Sequence, residues 1–426
     1  AQSLAQQLDF PHSDHSAQAQ DSNTPFVSFV VPVYNASTTY LDTLLNSLKE
    51  QSMDGWELVL SDDASPSAIT QIWLEDHRSD ENVTIVFNKK NRGIAQASQA
   101  GVDAANGTWL GLLDHDDALS PHAVKMLRHS TTTNPELKFL YTDEAIVNDN
   151  MKVQGLFLKP AFDRILLSGM NFVNHLSFYR RDLLNKVGGF RKGFDGSQDY
   201  DLVLRYTNVL VVAEIWHLPY PAYLWRRSGE TYSAKFQEKA KENARLAIAQ
   251  TYSKAQDLSP ITDAISPGLH RVRFDLGNKD NAAVSAPNWP KISIIIPNKN
   301  QPTLISKILT QIYEETDYPH LEVIVSDNGS DDTDTLEIYD GFSTHSNFIL
   351  ESRREDFSFA SSINRALKHA SGDHVLLLNN DIEILEPNWL KEMVSCLQFD
   401  SVGIVGAKLL YPDRTLQHAG VVVGFG

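Results

Sequence analysis

Apolar residues in this chain cluster in short runs that end in polar residues, and the runs recur at a fixed spacing. Phe26 to Val31 is apolar except for Ser28, the pattern of a parallel strand buried on both faces. A short loop follows, then Leu41, Leu44, Leu45 and Leu48 fall on one helical stripe. Trp56 to Leu60 reads as a second strand and ends in Asp62-Asp63. Further along, Leu140 to Glu144, Val173 to Tyr179 and Ala213 to Leu218 read as strands. Tyr200 to Thr207 and a stretch around Gln237 to Tyr252 read as helices.

The opening pattern returns 265 residues later. Val27 to Pro32 lies over Ile292 to Pro297, Ser61 to Ser65 over Ser326 to Ser330, and Gly107 to Asp116 (GTWLGLLDHD) over Gly372 to Asp381 (GDHVLLLNND). Three matches at one offset mark an internal duplication. The helical stripe of the second copy, Ile305, Ile308, Leu309 and Ile312, is one position out of step, so the loops carry small compensating insertions. The predicted fold is α/β, a mostly parallel sheet flanked by helices, with one complete copy followed by part of a second. An open parallel sheet binds its ligand beyond the carboxyl ends of its strands, where both copies place Asp and Asn residues. The expected division is a linker or tail over 1–24, a complete domain over 25–265, a Pro- and Gly-rich connector over 266–290, and the nucleotide-binding part of a second domain, cut short, over 291–426.

Composition narrows the partners. With 42% hydrophobic residues the chain has enough apolar material for a core in each copy. Its formal charge of −17 argues against a general nucleic-acid or anionic-membrane surface, which Lys and Arg would have to hold. A bound anion must therefore be held locally, by amides, a metal or a few arginines. The single cysteine, Cys396, excludes an internal disulfide framework and a Cys-based zinc site, so a reducing compartment is expected. No window approaches the roughly 18 apolar residues of a membrane span.

The chemistry-bearing residues sit at strand ends. Asp114-His115-Asp116-Asp117 follows the apolar run Leu110 to Leu113. A lone D-x-D is commonly a solvated turn. At the mouth of a buried strand, two carboxylates can instead share a hard divalent cation with the oxygens of a diphosphate. Asp62 and Asp63 could accept hydrogen bonds from a base or ribose, or could simply close a turn with Ser65. Arg92 and Arg226 could bring a guanidinium to a base or phosphate, or lie at the surface. Gln198-Asp199-Tyr200-Asp201 opens a helix after Gly188-Gly189, and its carboxylates could cap that helix or face a cleft as a general base.

Together, VVPVYN (Val30 to Asn35), SDDAS, LLDHDD, GGF, SQDYDLVLR and YLWR resemble, in this order, the family 2 glycosyltransferases with a GT-A, Rossmann-like fold. The second copy, with SIIIPNKN, IVSDNGSDD and LLLNNDIEILEPNWL, is similar to tandem enzymes of bacterial O-antigen and rhamnan-type surface polysaccharide biosynthesis. The resemblance implies an inverting, metal-dependent transfer from a UDP- or dTDP-linked sugar to a hydroxyl of a growing, lipid-linked glycan. It implies Mn²⁺ or Mg²⁺ as cofactor. The site would be cytoplasmic, at the inner face of the membrane or within a polysaccharide assembly complex. It places Asp63 with Asp62 on the base and ribose, Asp114 and Asp116 on diphosphate and metal, and Asp199 as the base. Pro32, Tyr34, Asn35, Arg92, His115 and Arg226 complete the nucleotide-sugar site, and Pro297, Asp327, Asn379 and Asp381 are the second-copy counterparts. Many relatives have a metal-binding His where this chain has Ser228. A dinucleotide oxidoreductase is excluded because Pro32-Val33-Tyr34-Asn35 stands where its Gly-rich turn belongs. A non-catalytic glycan-binding or scaffold role is the competing reading, chiefly for the second copy.

Overall fold

The computed structural model describes residues 24–227, 237–256, 259–266, 268–275, 289–356, 358–397, 399 and 402–420. The chain divides into two compact units, 1–256 with 260–272, and 257–259 with 273–426. Ser228 and residues 1–23 lie outside the described residues, as does much of the expected connector. Within that connector, however, Leu269–Asp275 is a strand pairing with Ser259–Ser266.

The first unit is built on one nine-stranded sheet. Its strands are β1 (Val27–Val33), β2 (Trp56–Asp62), β3 (Val83–Phe87), β4 (Trp109–Leu112), β5 (Ala118–Leu119), β6 (Phe139–Val147), β7 (Val153–Phe157), β8 (Ser177–Arg180) and β9 (Ile215–Arg226). The order is β3-β2-β1-β4-β8-β6-β9-β5, with β7 added on β6. β3, β2, β1 and β4 run parallel, and β8 enters antiparallel to both β4 and β6. β1 and β2 are buried on both faces apart from Pro32, as their apolar sequences require. Leu41, Leu44, Leu45 and Leu48 of the helix Thr38–Lys49 close one face. Strand order reverses between β1 and β4, so their carboxyl ends splay apart there and open a crevice.

Several elements differ from the sequence reading at their ends. The run Val173 to Tyr179 is a strand only from Ser177, because residues 173–175 form an irregular turn held by side chains of β6 and of the segment after β7. The expected strand Ala213 to Leu218 begins at Ile215 after a short 3₁₀ turn, and continues to Arg226.

The second unit repeats the core of the first. β10 (Ile292–Asn298), β11 (Leu321–Asp327), β12 (Phe348–Ser352) and β13 (His374–Leu377) form a parallel sheet ordered β12-β11-β10-β13, matching β3-β2-β1-β4. Detailed contacts repeat as well. Glu57 and Glu322 are buried, and each accepts from the serine of the first strand, Ser28 or Ser293, and from a backbone amide before the fourth strand, Asn106 or Ser371. Gly107 and Gly372 each donate to that same serine hydroxyl, at 2.6 and 2.8 Å. A Cβ at either glycine would lie 2.6 or 2.7 Å from the serine backbone nitrogen. Only glycine allows the fourth strand to start so close to the first.

Candidate active site

The Asp62 loop is shaped by local hydrogen bonds. Asp62 is buried at the end of β2 and accepts from the Ser65 amide (3.2 Å), the Ser65 hydroxyl (2.5 Å) and Gln71 Nε2 (2.9 Å). Ser65 Oγ in turn accepts from the Asn35 amide, while Asn35 Oδ1 accepts from the Ser67 amide; Asn35 adopts φ 52°. Asp63 is buried and accepts from the backbone amides of Arg92 and Gly93 at 2.9–3.0 Å. The two carboxylates expected to bind a base and ribose therefore have protein partners, and Asp62 is the turn-forming residue. Arg92 is exposed and its guanidinium reaches Asn88, and Tyr34 is 47% exposed.

The DHDD loop is clamped onto β9. Asp117 is buried and accepts from the Tyr223 hydroxyl (2.5 Å) and the Arg226 amide (2.7 Å), while the Asp114 amide donates to the Tyr223 oxygen (3.3 Å). Arg226 is buried too. It donates to the carbonyls of Asp116 (2.7 Å) and Asp149 (2.8 Å), and its guanidinium sits 4.4 Å from the Tyr40 ring centroid. The phosphate-facing role expected for Arg226 is narrowed by this placement: Nε and Nη1 are spent on backbone oxygens, the guanidinium is buried, and only Nη2 is left without a hydrogen-bond partner. Asp117 and Tyr223 were not singled out by sequence reasoning, because the four-residue acidic run alone does not say which carboxylate turns inward.

With the loop fixed, Asp114, His115 and Asp116 are half-buried at the crevice. A crevice open to solvent is lined by Pro32, Asp114, Asn174, His175, Gln198 and Asp199, among others. Asp116 does not line it, although it shares the loop with Asp114. Asp199 opens the helix Gln198–Asn208, capped by the Ser197 backbone, so neither acid of the SQDYD segment is spent as an N-cap. Asp201 is fully buried between Arg191 and Arg205 Nη2 (2.8 Å to the latter), whereas Asp199 accepts from the Gln198 side chain, Nε2 at 2.8 Å, and pairs with no arginine among the described residues. Geometry thus separates a structural Asp201 from a cavity-facing Asp199.

Charge in the cavity is balanced unevenly. Burial, then the negative Asp114 nearby, pushes the Asp199 carboxyl up to about 6. Burial acts against ionisation of Asp114 too, but the hydrogen bond and charge of His175 outweigh it and hold Asp114 below the ordinary carboxylate range. His175 Nε2 lies 3.4 Å from Asp114 Oδ2 and its Nδ1 3.8 Å from Glu144 Oε2; burial disfavours the imidazolium, yet these two carboxylates raise His175 to about 10. His175 has no sequence motif of its own and was missed.

Among the described residues no three His, Cys, Asp or Glu side chains converge as a ready metal site. Asp114 and Asp116 nevertheless fit Mg²⁺ or Mn²⁺ as the protein half of a site completed by phosphate oxygens and water, the usual arrangement for Mg²⁺.

In the second unit, Pro297 is half-buried and Asp327 is buried, accepting from Gly329, Ser330, Tyr339 and Ser352. This is the Asp62 arrangement over again, so Asp327, like Asp62, shapes a turn. Asn379 and Asp381 are exposed, and Asn380 Nδ2 donates to Asn298 Oδ1 at 2.7 Å.

The sequence model described as "Glycosyl transferase family 2" matches residues 28–188 and again 293–418. The chain belongs to the family 2 glycosyltransferases. Its fold is the GT-A fold, a curled and mostly parallel sheet with the crevice at the switch point. It is 35% identical over 412 residues to "Uncharacterized protein y4gI" of Sinorhizobium fredii, covering 95% of this chain and 44% of that protein. It is 34% identical over 417 residues to "O-antigen biosynthesis protein RfbC" of Myxococcus xanthus, covering 96% and 31%. The chain therefore spans less than half the length of these two relatives. Among solved structures, S. aureus TarS in complex with UDP-GlcNAc aligns at TM-score 0.45 and 21% identity, over 54% of this chain and 67% of that one. No helix among its described residues is long and apolar enough to cross a membrane.

Proposed function

We propose that the first copy, residues 25–265, transfers a sugar from a UDP- or dTDP-linked donor to a hydroxyl of a bacterial surface glycan with inversion at C1. The observation that carries this reading is that Asp114 and Asp199 line one and the same crevice at the sheet's switch point. Asp199 accepts the proton of the acceptor hydroxyl as that oxygen attacks the sugar C1 from the face opposite the departing nucleoside diphosphate. A buried carboxyl raised to about 6 is a stronger base than an ordinary aspartate and is still ionised near neutral pH. One base serves a single displacement, and no covalent intermediate is required.

Asp114 and Asp116 would hold the divalent cation, which would supply charge neutralisation at the leaving diphosphate. Asp117, Tyr223 and Arg226 act behind them by fixing the loop. Pro32 lines the floor of the cavity, and Asp63, His115 and Arg92 lie at neighbouring loops where a base and ribose would rest. The names of relatives, an O-antigen biosynthesis protein and a chondroitin synthase of Escherichia coli, favour a polysaccharide acceptor. A lipid-linked, rhamnan- or O-antigen-type glycan at the inner membrane face is the acceptor we favour, within a tandem enzyme.

For the second copy, residues 291–426, a nucleotide- or glycan-binding role without turnover is the reading we favour for this chain. Asn379 and Asn328 stand where the first unit has Asp114 and Asp63, and Asn379 and Asp381 are exposed. The test is calorimetry with a panel of UDP- and dTDP-sugars, with and without Mn²⁺. Metal-dependent binding that Asp114→Asn weakens at least about tenfold, the scale of one charge-assisted contact, supports the reading. Binding indifferent to metal and to Asp114 contradicts it.

A further inference from the structure

One polar ring in the cavity has no part in the reading above. Asn174 and His175 both line the cavity, with Asn174 Nδ2 3.2 Å from His175 Nε2 and Asp114 3.4 Å beyond that nitrogen. The ring stacks on Tyr223, centroids 4.8 Å apart and planes at 18°, and retains 17% side-chain exposure. His175 is thus held on one face by an aromatic ring and on its edges by acids.

The turn that carries it is fixed from behind by a buried ion. The Lys159 side chain is wholly buried, and its Nζ donates to the carbonyls of Val173 (3.3 Å), Asn174 and His175 (2.5 Å) while pairing with Glu144 Oε1 at 2.7 Å. Asp143, beside Glu144 on β6, accepts from the Lys159 amide (2.9 Å) and from His217 (2.8 Å). A buried ammonium is costly unless its protons are satisfied, and a well-packed apolar substitute is often as stable. What the Lys159–Glu144 pair adds is a single orientation for three successive carbonyls, and with them the direction of the His175 ring.

We propose that His175 contacts the transferred sugar of the donor, and that the Lys159–Glu144 pair is the positioning device that aims it. This rests on the proposed function. With the diphosphate against Asp114 and the acceptor hydroxyl at Asp199, the group between them is the sugar, and His175 lines the same cavity beside Asp114. The ring N–H groups offer donors, and the Asn174 amide offers a donor and an acceptor, to sugar hydroxyls. A site built to bond a hydroxyl discriminates strongly against ligands that lack it.

The test uses the full chain in Mn²⁺ and compares affinities for UDP-glucose, UDP-N-acetylglucosamine and dTDP-rhamnose with those for UDP and dTDP. His175→Ala is expected to weaken the bound sugar nucleotide by about tenfold or more while leaving the free diphosphate within about twofold. Lys159→Met is expected to reproduce that selective loss, and the double variant to be no worse than either single one, since both act on the same contact. Should Lys159→Met lose its cooperative melting, His175→Ala and His175→Asn carry the test alone. Equal losses for sugar nucleotide and diphosphate, or no loss in either, overturn the inference. So does a wild-type protein that binds every sugar nucleotide no differently from its diphosphate. Wild-type protein that binds none of these compounds refutes the proposed function itself, a different result from a His175 variant that behaves as wild type.

Discussion

Replacing Asp117 by Asn is expected to flatten the pH dependence of the loop that carries Asp114 and Asp116. Asp117 is 2% exposed, and burial first, then the charges of Asp114 and Asp116, push its carboxyl up to about 8. In the unfolded chain the same group titrates near ~3.9. Between those values the folded loop binds a proton that the open chain does not, so its stabilisation is fullest below about pH 4 and is lost as pH rises through about 8. One pH unit inside this window is worth at most about 1.4 kcal/mol, so moving from about pH 6 to about pH 7.5 weakens the closed loop by up to about 2 kcal/mol. Asparagine has no charge to desolvate and keeps one acceptor. Its amide leaves one of two buried donors, Tyr223 Oη or the Arg226 N–H, less well served, a pH-independent penalty of about 1 kcal/mol. Hydrogen exchange of peptides from β9 and from residues 114–120, corrected for intrinsic rates, reads the opening free energy directly. A wild-type slope that persists undiminished in Asp117→Asn would refute the assignment of that proton to Asp117.

Two further outcomes follow from the geometry. The turnover number is expected to fall as pH drops through about 6, where Asp199 takes up its proton, and this limb should move to lower pH as Mn²⁺ is raised, because a cation at Asp114 cancels the charge that helps hold Asp199 up; kcat against pH at two Mn²⁺ concentrations checks it, and a limb that moves upward contradicts it. Gly107→Ala and Gly372→Ala are each expected to destabilise their own unit by about 1–3 kcal/mol, since the added Cβ meets the backbone of Ser28 or Ser293; scanning calorimetry of the two variants should show the loss in different transitions, and an unchanged melting profile in either would contradict the shared packing.

Much of the scaffold was legible because parallel strands buried on both faces must be written in apolar residues. The β1 and β2 runs, the offset of 265 and the polar strand ends all follow from that requirement. The cavity pairing of Asp114 with Asp199 was legible only through the order of several motifs. Which carboxylates are free was not legible. Asp62, Asp63, Asp117 and Asp201 look as available as Asp114 and Asp199 in sequence, yet each is consumed by amides, hydroxyls or guanidinium groups that come from elsewhere in the chain. Arg226 shows the same limit, since its clamp on Asp116 and Asp149 depends on how β9 meets two loops. His175 was hidden because its turn owes its shape to Lys159 and Glu144 rather than to any local periodicity.

The most direct measurement is transfer and donor affinity in Asp199→Asn, side by side. If Asp199 is the base in the cavity it shares with Asp114, turnover should fall by about two to four orders of magnitude while donor affinity stays within about twofold of wild type. Wild-type turnover in this variant, or a loss of binding as large as the loss of turnover, would contradict that role.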